Sequence, residues 1–443
     1  MKRHVAATIA VVMLVLGAAA AFAQPQVSEK KEIAIFSLGF YGWDIPRETL
    51  GTIDIDIQRV FLDLGRFTII GMEQRFSAGA VDDFIAVLRK IKEENFVLPE
   101  KYQFGEAFLT EADFNKLVGA FIIAVPVVTS YDSQFVDGKT WETHIKTNVS
   151  FIDVGAGTLL GIANVETSGS SKETQYKSIQ SAIDGIPGQL DYEIRSIPAF
   201  QISTRILAAN GSNVDIQLGA DMGLKVGDEY SVIVAEMLEG IVDEREAGLI
   251  IIREVGSARS KGTVLYSDIQ LGKDVQLKEI PRMGVDFGLY AHSYSFIVGP
   301  VDPRTGIAVG FRTEMTRGFY SIRPYAAFQA VLDSDWLIPI SLIVGGEYTV
   351  YAGRLEFGGR AGVSGSTPLL FLIAQEEYGV TDDTWLTHYG VSVGGYASYL
   401  FSRDMKFFVD VQVDFNLGVL DGWGSGFDTY GGAQIGVGVT FKQ

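Results

Sequence analysis

The segment Met405-Lys406-Phe407-Phe408-Val409-Asp410-Val411-Gln412-Val413-Asp414-Phe415-Asn416-Leu417-Gly418-Val419 alternates between two kinds of side chain. Phe407, Val409, Val411, Val413, Phe415 and Leu417 fall on one face, and Lys406, Phe408, Asp410, Gln412, Asp414 and Asn416 on the other. A period of two marks a β-strand whose faces meet different surroundings. One strand does not say which surroundings. In a soluble sandwich the apolar face is the core and the charges meet water. In a membrane barrel the apolar face meets lipid and the charges point inward.

The same alternation recurs on either side. Ile435, Val437, Val439 and Phe441 oppose Gln434, Gly436, Gly438 and Thr440. Ile338, Ile340, Leu342, Val344, Tyr348 and Val350 oppose Ser341, Gly345, Glu347 and Thr349. Leu355, Phe357, Ala361 and Val363 oppose Arg354, Glu356, Gly358, Arg360 and Ser364. Eight such strands are expected, near 284–297, 305–314, 319–332, 336–351, 354–366, 386–400, 405–419 and 428–442. Most exceed the roughly 9–11 residues that cross a bilayer at a tilt. An even antiparallel set can close, which removes every edge and satisfies the backbone in lipid.

Charge and size favour the barrel. Arg312, Glu314, Arg323, Glu347, Arg354, Glu356, Arg360, Asp410 and Asp414 share the polar parity, so they are expected to pair inside the lumen. Gly288, Gly310, Gly345, Gly358, Gly362, Gly390, Gly394, Gly436 and Gly438 share it too, leaving space that Tyr290, His292 and Tyr396 could fill. Ser366–Trp385 is a long connection and Asp421–Phe427 a Gly-rich one, while Arg317-Gly318, Ala352-Gly353 and Ser402-Arg403-Asp404 are tight turns. Long loops outside and short turns on the periplasmic side are the expected asymmetry. Asp333-Ser334-Asp335, short but outside, departs from it. Aromatics gather at two rims: Phe296, Trp336, Trp385 and Trp423, then Tyr320, Tyr351, Tyr399, Phe401 and Phe441. The region 284–443 resembles small outer-membrane β-barrel proteins. Val439-Thr440-Phe441 resembles their terminal assembly signal, although Lys442-Gln443 follow.

At the other end, Lys2-Arg3-His4, the apolar run Val5–Ala21 and Ala21-Phe22-Ala23 read as a signal peptide cleaved between Ala23 and Gln24. Residues 31–200 mix helix and strand signals. Ile33–Leu38, Phe67–Ile70 and Phe121–Val125 are short apolar strands. Leu50, Ile53, Ile57, Val60, Phe61 and Leu64 have helical spacing, stopped by Gly65. Val81, Phe84, Ile85, Leu88 and Ile91 predict a second helix, and Thr110 with Asp113 caps a third. Trp141–Asp153 and Leu159–Thr167 form a hairpin through Gly155-Ala156-Gly157. A last helix over Lys172–Ile186 is broken by Pro187-Gly188. The order predicts an α/β sandwich with one partly open sheet. These segments, with Leu64-Gly65-Arg66-Phe67-Thr68-Ile69-Ile70 and Gly119-Ala120-Phe121-Ile122-Ile123, resemble the periplasmic domain of the curli-secretion channel family and the N-terminal domain of the Tol translocation protein. That resemblance implies envelope docking and association between copies. The curli channel is a lipoprotein, however, and this chain has no cysteine to acylate.

Residues 201–281 alternate short strands with turns: Ile202–Leu207, Val214–Leu218, Glu229–Val234, Leu249–Val255, Gly262–Tyr266 and Asp274–Leu277. Asn210-Gly211 signals a hairpin, and Glu239–Glu246 reads as a charged solvated loop. Met222-Gly223-Leu224-Lys225-Val226-Gly227-Asp228 is a turn before a strand. The region resembles the small β domain that closes flagellar assembly protein T, which also follows a Tol-like domain.

Composition excludes several functions. With 36 basic and 54 acidic residues among 443, the net charge of -18 argues against nucleic acid. Zero cysteines exclude disulfides, thiolate metal sites and Cys nucleophiles. His4, His144, His292 and His388 are the only histidines, and none stands at ligand spacing to another. No nucleophile elbow, phosphate loop or calcium loop occurs. His388 and Ser392 share the inward parity but read as lumen packing. Glu376, Glu377, Asp382 and Asp383 form an acidic loop cluster that could hold a cation but reads as solvated. The expectation is a multidomain α/β plus all-β protein: a periplasmic α/β sandwich, a small β-barrel domain and an eight-stranded transmembrane barrel. It needs no cofactor, metal or catalytic residue. It anchors in outer-membrane lipid and meets periplasmic or envelope proteins through residues 31–281. The alternatives are a secretion or solute channel, and a wholly periplasmic binding protein.

Overall fold

The computed structural model describes residues 27–40, 45–75, 101–104, 107–110, 122–238, 241–298, 305–319, 321–332, 339–369, 386–418 and 429–443. The cleavage site Ala23/Gln24, the helix expected over Val81–Ile91, the acidic cluster Glu376, Glu377, Asp382 and Asp383, and Tyr320, Trp336, Trp385 and Trp423 lie outside them.

The first unit holds β1 (Lys31–Ser37), β2 (Gly39–Phe40), α1 (Arg47–Asp63), β3 (Phe67–Arg75), β4 (Lys101–Phe104), β5 (Ala107–Thr110), β6 (Ile122–Val136), β7 (Thr140–Asp153), β8 (Thr158–Ser171), α2 (Gln175–Asp184) and α3 (Ile186–Ser196). The sheet runs β3-β1-β6-β7-β8, with β2 on β6. β1 is parallel to β3 and β6, and β6, β7 and β8 form an antiparallel meander. The helical reading of Ile53-Asp54-Ile55-Asp56-Ile57 holds: Ile53 and Ile57 enter the core while Ile55 stays exposed. Gly65, at φ 65°, adopts the left-handed turn that ends the helix.

Two features depart from expectation here. The hairpin β4–β5 was not foreseen, and Thr110 closes β5; the helix it was expected to cap lies outside the described residues. The last helix is two helices. Thr174 caps α2, accepting from Lys177 N at 3.2 Å, and the break falls at Gly185. Pro187 sits in the first turn of α3, where its missing N–H leaves no bond unmade.

The second unit is a closed six-stranded barrel of β9 (Ser203–Asn210), β10 (Asn213–Ile216), β11 (Glu229–Leu238), β12 (Ile241–Val255), β13 (Ser260–Ser267) and β14 (Gln276–Ile280), in the order β10-β13-β12-β11-β14-β9. Ile206, Val214, Ile216, Val232, Ile250, Ile252 and Leu277 fill it. Gly211, at φ 61°, makes the expected hairpin turn. The expected loop over Glu239–Glu246 is instead mostly strand, with Asp243, Glu244, Arg245 and Glu246 paired to Glu236, Ala235, Val234 and Ile233. This arm is largely solvated, so no apolar alternation announces it. The backbone ladder and an Arg245–Glu236 pair at 2.7 Å hold it.

The third unit is β15 (Val285–Val298), β16 (Thr305–Met315), β17 (Ile322–Leu332), β18 (Pro339–Ala352), β19 (Leu355–Pro368), β20 (His388–Ser402), β21 (Met405–Gly418) and β22 (Thr429–Phe441). Each strand pairs antiparallel with the next, and β22 returns to β15. The eight strands expected from alternation are the eight observed. Val409, Val411 and Val413 are 55%, 54% and 55% exposed, while Asp410, Gln412 and Asp414 are buried. The polar face is inside. A soluble sandwich would have the opposite arrangement, so that alternative is set aside. Tyr399, Phe401 and Phe441 are exposed at one rim as expected. Tyr351 instead turns toward the six-stranded barrel.

Candidate functional site

Strand direction sorts the lumen into two zones. Asp286, Arg312, Glu314, Arg323, Glu347, Glu356, Arg360, Lys406 and Asp410 occupy the half nearest the small barrel. Ser341, Ser364, Ser366, His388, Asn416 and Tyr430 occupy the far half. In the charged half, Arg312 Nε meets Glu314 Oε1 at 2.5 Å and Arg312 Nη1 meets Asp410 at 3.4 Å. Arg360 reaches Asp410 at 3.3 Å, and His292 Nε2 reaches its other oxygen at 2.8 Å. Arg323 pairs with Glu347 and, at 2.7 Å, with Glu356. Lys406 completes the group, 2.8 Å from Glu356 and 3.5 Å from Asp286.

Seven of the nine residues expected in the lumen network take part in it. Arg354 does not. It lies in the β18–β19 turn, donates to Leu400 O at 3.1 Å and stacks over Tyr266 of the small barrel at 3.8 Å. Parity put it inside because the turn begins one residue before the strand. Asp414 is inside but meets no cation: Tyr294 OH donates at 2.8 Å, Gln434 Nε2 at 2.9 Å and Asn416 Nδ2 at 3.3 Å. Lys406, read only as a polar-face residue, and Asp286 were not counted as members. The same alternation would have found both.

The glycines make room as expected. A Cβ on Gly358 would lie 2.2 Å from Tyr396 Cε1, on Gly310 2.6 Å from the Tyr290 hydroxyl, and on Gly436 2.1 Å from His292 Cδ2. Arg312 lies over Phe408 at 3.9 Å and Arg360 over Tyr396 at 4.8 Å, so cations and rings share the interior. His388 Nδ1 bonds Thr387 Oγ1 at 2.8 Å, whereas buried Ser392 Oγ has no hydrogen-bond partner among the described residues, so the structure does not bring the two together as a nucleophile and its base.

A second charged cluster joins the three units, and the sequence did not announce it. Glu279 of β14 accepts from Arg66 at 2.7 and 3.1 Å, from Arg195 of α3 at 2.6 Å and from Ile202 N at 3.0 Å. Arg195 also reaches Asp228 at 3.4 Å. Asp228 in turn takes Arg317, from the β16–β17 turn of the large barrel, at 2.5 Å, and Arg317 takes Asp191 of α3 at 2.9 Å. Arg282, between the two barrels, meets Glu229 at 3.0 Å and Asp404 at 2.7 Å, and Lys442 meets Glu229 from the other side. Arg66, Arg195, Arg282, Arg317 and Lys442 thus balance Asp191, Asp228, Glu229, Glu279 and Asp404.

Burial alone would push the Glu279 carboxyl up, but Arg66 and Arg195 hold it well below the usual carboxylate range. Lys442 and Arg282 outweigh burial in the same way at Glu229. Arg195 stays firmly protonated because Glu279, Asp228 and Asp191 overcome its desolvation.

Close backbone contacts reinforce the joint. Gly318 N donates to Val226 O at 2.6 Å, and a Cβ on Gly227 (φ 89°) would lie 1.9 Å from Thr316 O. Leu249, Ile251, Leu265 and Ile280 of the small barrel's wall pack with Leu400 of β20. Arg253 stacks over Tyr351 at 5.1 Å, and Arg403 meets Glu246 at 3.0 Å. All three tight turns of the large barrel, and both its entry and its exit, therefore touch the small barrel.

No family model and no curated protein matches the chain. Among solved structures it is similar to Neisserial surface protein A, at 9% identity and a TM-score of 0.27, over 36% of this chain and 97% of that one. It is also similar to the N-terminal β-barrel domain of Pseudomonas aeruginosa OprF, at 12% identity and a TM-score of 0.22, over 36% and 97% of the two chains. Lipoprotein GNA1162 from Neisseria meningitidis aligns at 12% identity and a TM-score of 0.22, over 36% and 97%.

Proposed function

We propose that this protein is a non-enzymatic outer-membrane anchor that carries periplasmic docking domains, a scaffold in cell-envelope assembly. The observation that carries the reading is the exposed apolar circumference of a closed eight-stranded barrel whose interior is packed with paired charges and rings. Such a surface is stable in lipid and a liability in water. The tight turns lie against residues 201–281, which supports a periplasmic position for the first two units. Their resemblance to the curli-secretion/Tol domain and to the closing domain of flagellar assembly protein T supports a docking role toward envelope proteins, with association between copies. Eight strands leave room only for side chains, which favours an anchor over a secretion or solute channel.

The test pairs two measurements on the full-length protein. Unheated and boiled samples run on a detergent gel should differ in mobility, with the protein in the outer-membrane fraction. In planar bilayers it should pass no steady current. A soluble protein without a mobility shift would overturn the membrane reading. A large steady conductance would replace the anchor with a channel.

A further inference from the structure

The two ends of the large barrel meet at one carboxylate. Arg282 stands three residues before β15, and Lys442 directly follows β22. β15 and β22 are the strands whose pairing closes the barrel, from Phe287 opposite Phe441 up to Val298 opposite Gly431. At the foot of that seam, Glu229 of β11 takes one cation from each side. Its Oε2 accepts from Arg282 Nε at 3.0 Å, and its Oε1 accepts from Lys442 Nζ. Arg282 also donates to the Lys442 carbonyl at 3.2 Å and the Arg403 carbonyl at 2.9 Å, and Gly284 N donates to Gln443 O at 3.2 Å. Glu229, Arg282 and Lys442 are all buried.

We propose that Glu229 is a latch on the barrel seam. It engages fully only once β22 has paired with β15, so the last part of small-barrel docking waits on a completed barrel and, in turn, pins the seam. The reason is geometric. Arg282 and Lys442 lie 160 residues apart in sequence, and seam pairing is what brings them to one point. Before closure Glu229 would keep Arg282 on Oε2 but have no donor for Oε1, and a buried acceptor left without a hydrogen bond is costly. By linkage, whatever factor seam closure adds to docking, docking adds to seam closure. The small barrel thereby acts as a strap that sets fully only on a finished barrel.

The test uses the full-length protein refolded in detergent micelles, with two readouts. Trypsin cleavage after Arg282, identified by a fragment beginning at Met283, reports undocking. The temperature of the gel-mobility transition reports the seam. Lys442→Met is the telling variant, because it alters neither the scissile residue nor its neighbours. It should speed that cleavage at least tenfold and lower the transition temperature. Glu229→Gln should do the same, the double variant should be no worse than the more damaged single, and Lys442→Arg should keep the protection. Unchanged cleavage in Lys442→Met, strictly additive effects in the double variant, or loss of protection in Lys442→Arg would overturn the latch. So would failure of both single variants to form any heat-modifiable barrel, since the carboxylate would then be needed to build the barrel, not to hold it.

Discussion

Replacing Glu279 by Gln should loosen the joint between the α/β unit and the small barrel. The substitution keeps the shape, but one side-chain oxygen must serve where two now accept three guanidinium contacts, at 2.7, 3.1 and 2.6 Å. The amide also turns an N–H toward a cation. Removing one partner of a buried ion pair costs about 3–5 kcal/mol. Here Arg195 retains Asp228 and Asp191, whereas Arg66 loses its acidic partner, so the low end applies, about 3 kcal/mol or roughly 100-fold in the unfolding equilibrium. The assay is proteolysis of the full-length protein in micelles across a urea series, following residues 27–281 while gel mobility reports the barrel separately. The pH dependence gives an independent check. The folded carboxyl titrates below its ordinary value of 4.5, so its stabilisation is complete above that value and is lost as pH falls below it. Wild type should loosen progressively as pH falls below about 4.5, and the variant should show less of that loss. A urea midpoint change worth less than about 1 kcal/mol, with an unaltered acid profile, would refute the reasoning, because desolvation would then have cancelled the pairing.

Three further outcomes follow from the packing. Val411→Arg, on the exposed face of β21, should cost about 2–4 kcal/mol in lipid and deplete the heat-modifiable form, read by urea titration in vesicles. Gly358→Ala would set its methyl 2.2 Å from Tyr396 Cε1 and should destabilise the barrel by about 1–3 kcal/mol in the same titration. Gly227→Ala, at φ 89° and 1.9 Å from Thr316 O, should undock the β16–β17 turn and expose Arg317 to trypsin, while gel mobility stays heat-modifiable.

Several elements could be read one segment at a time. The strand Met405–Gly418 declares its two faces through residues that are neighbours in sequence, and the glycine and aromatic parity of β15–β22 declares a filled interior by the same local rule. The helix α1 was equally legible, because a spacing of three and four survives the competing alternation at Ile53–Ile57. Reading failed where local pattern is silent. The arm over 243–246 is largely exposed and carries no apolar period, and Pro187 marks a helix start as easily as a stop. Parity assigned Arg354 to the lumen without knowing where the turn ended, and it paired Asp414 with cations that lie too far along the barrel.

The sequence by itself determined the eight strands of the large barrel and the alternation of their two faces, because backbone periodicity is a property of adjacent residues. Charge and glycine parity favoured the polar face as the inner one, and the closure that puts it there, β22 meeting β15, was decided by the tertiary structure and not by any one strand. The tertiary structure alone decided the joint as well. Arg195 and Glu279 meet across 84 residues of chain, and Glu229 and Lys442, like Arg66 and Glu279, across 213. Buried charges are tolerated only when opposite charges reach them, and that condition is met by folding, not by sequence order.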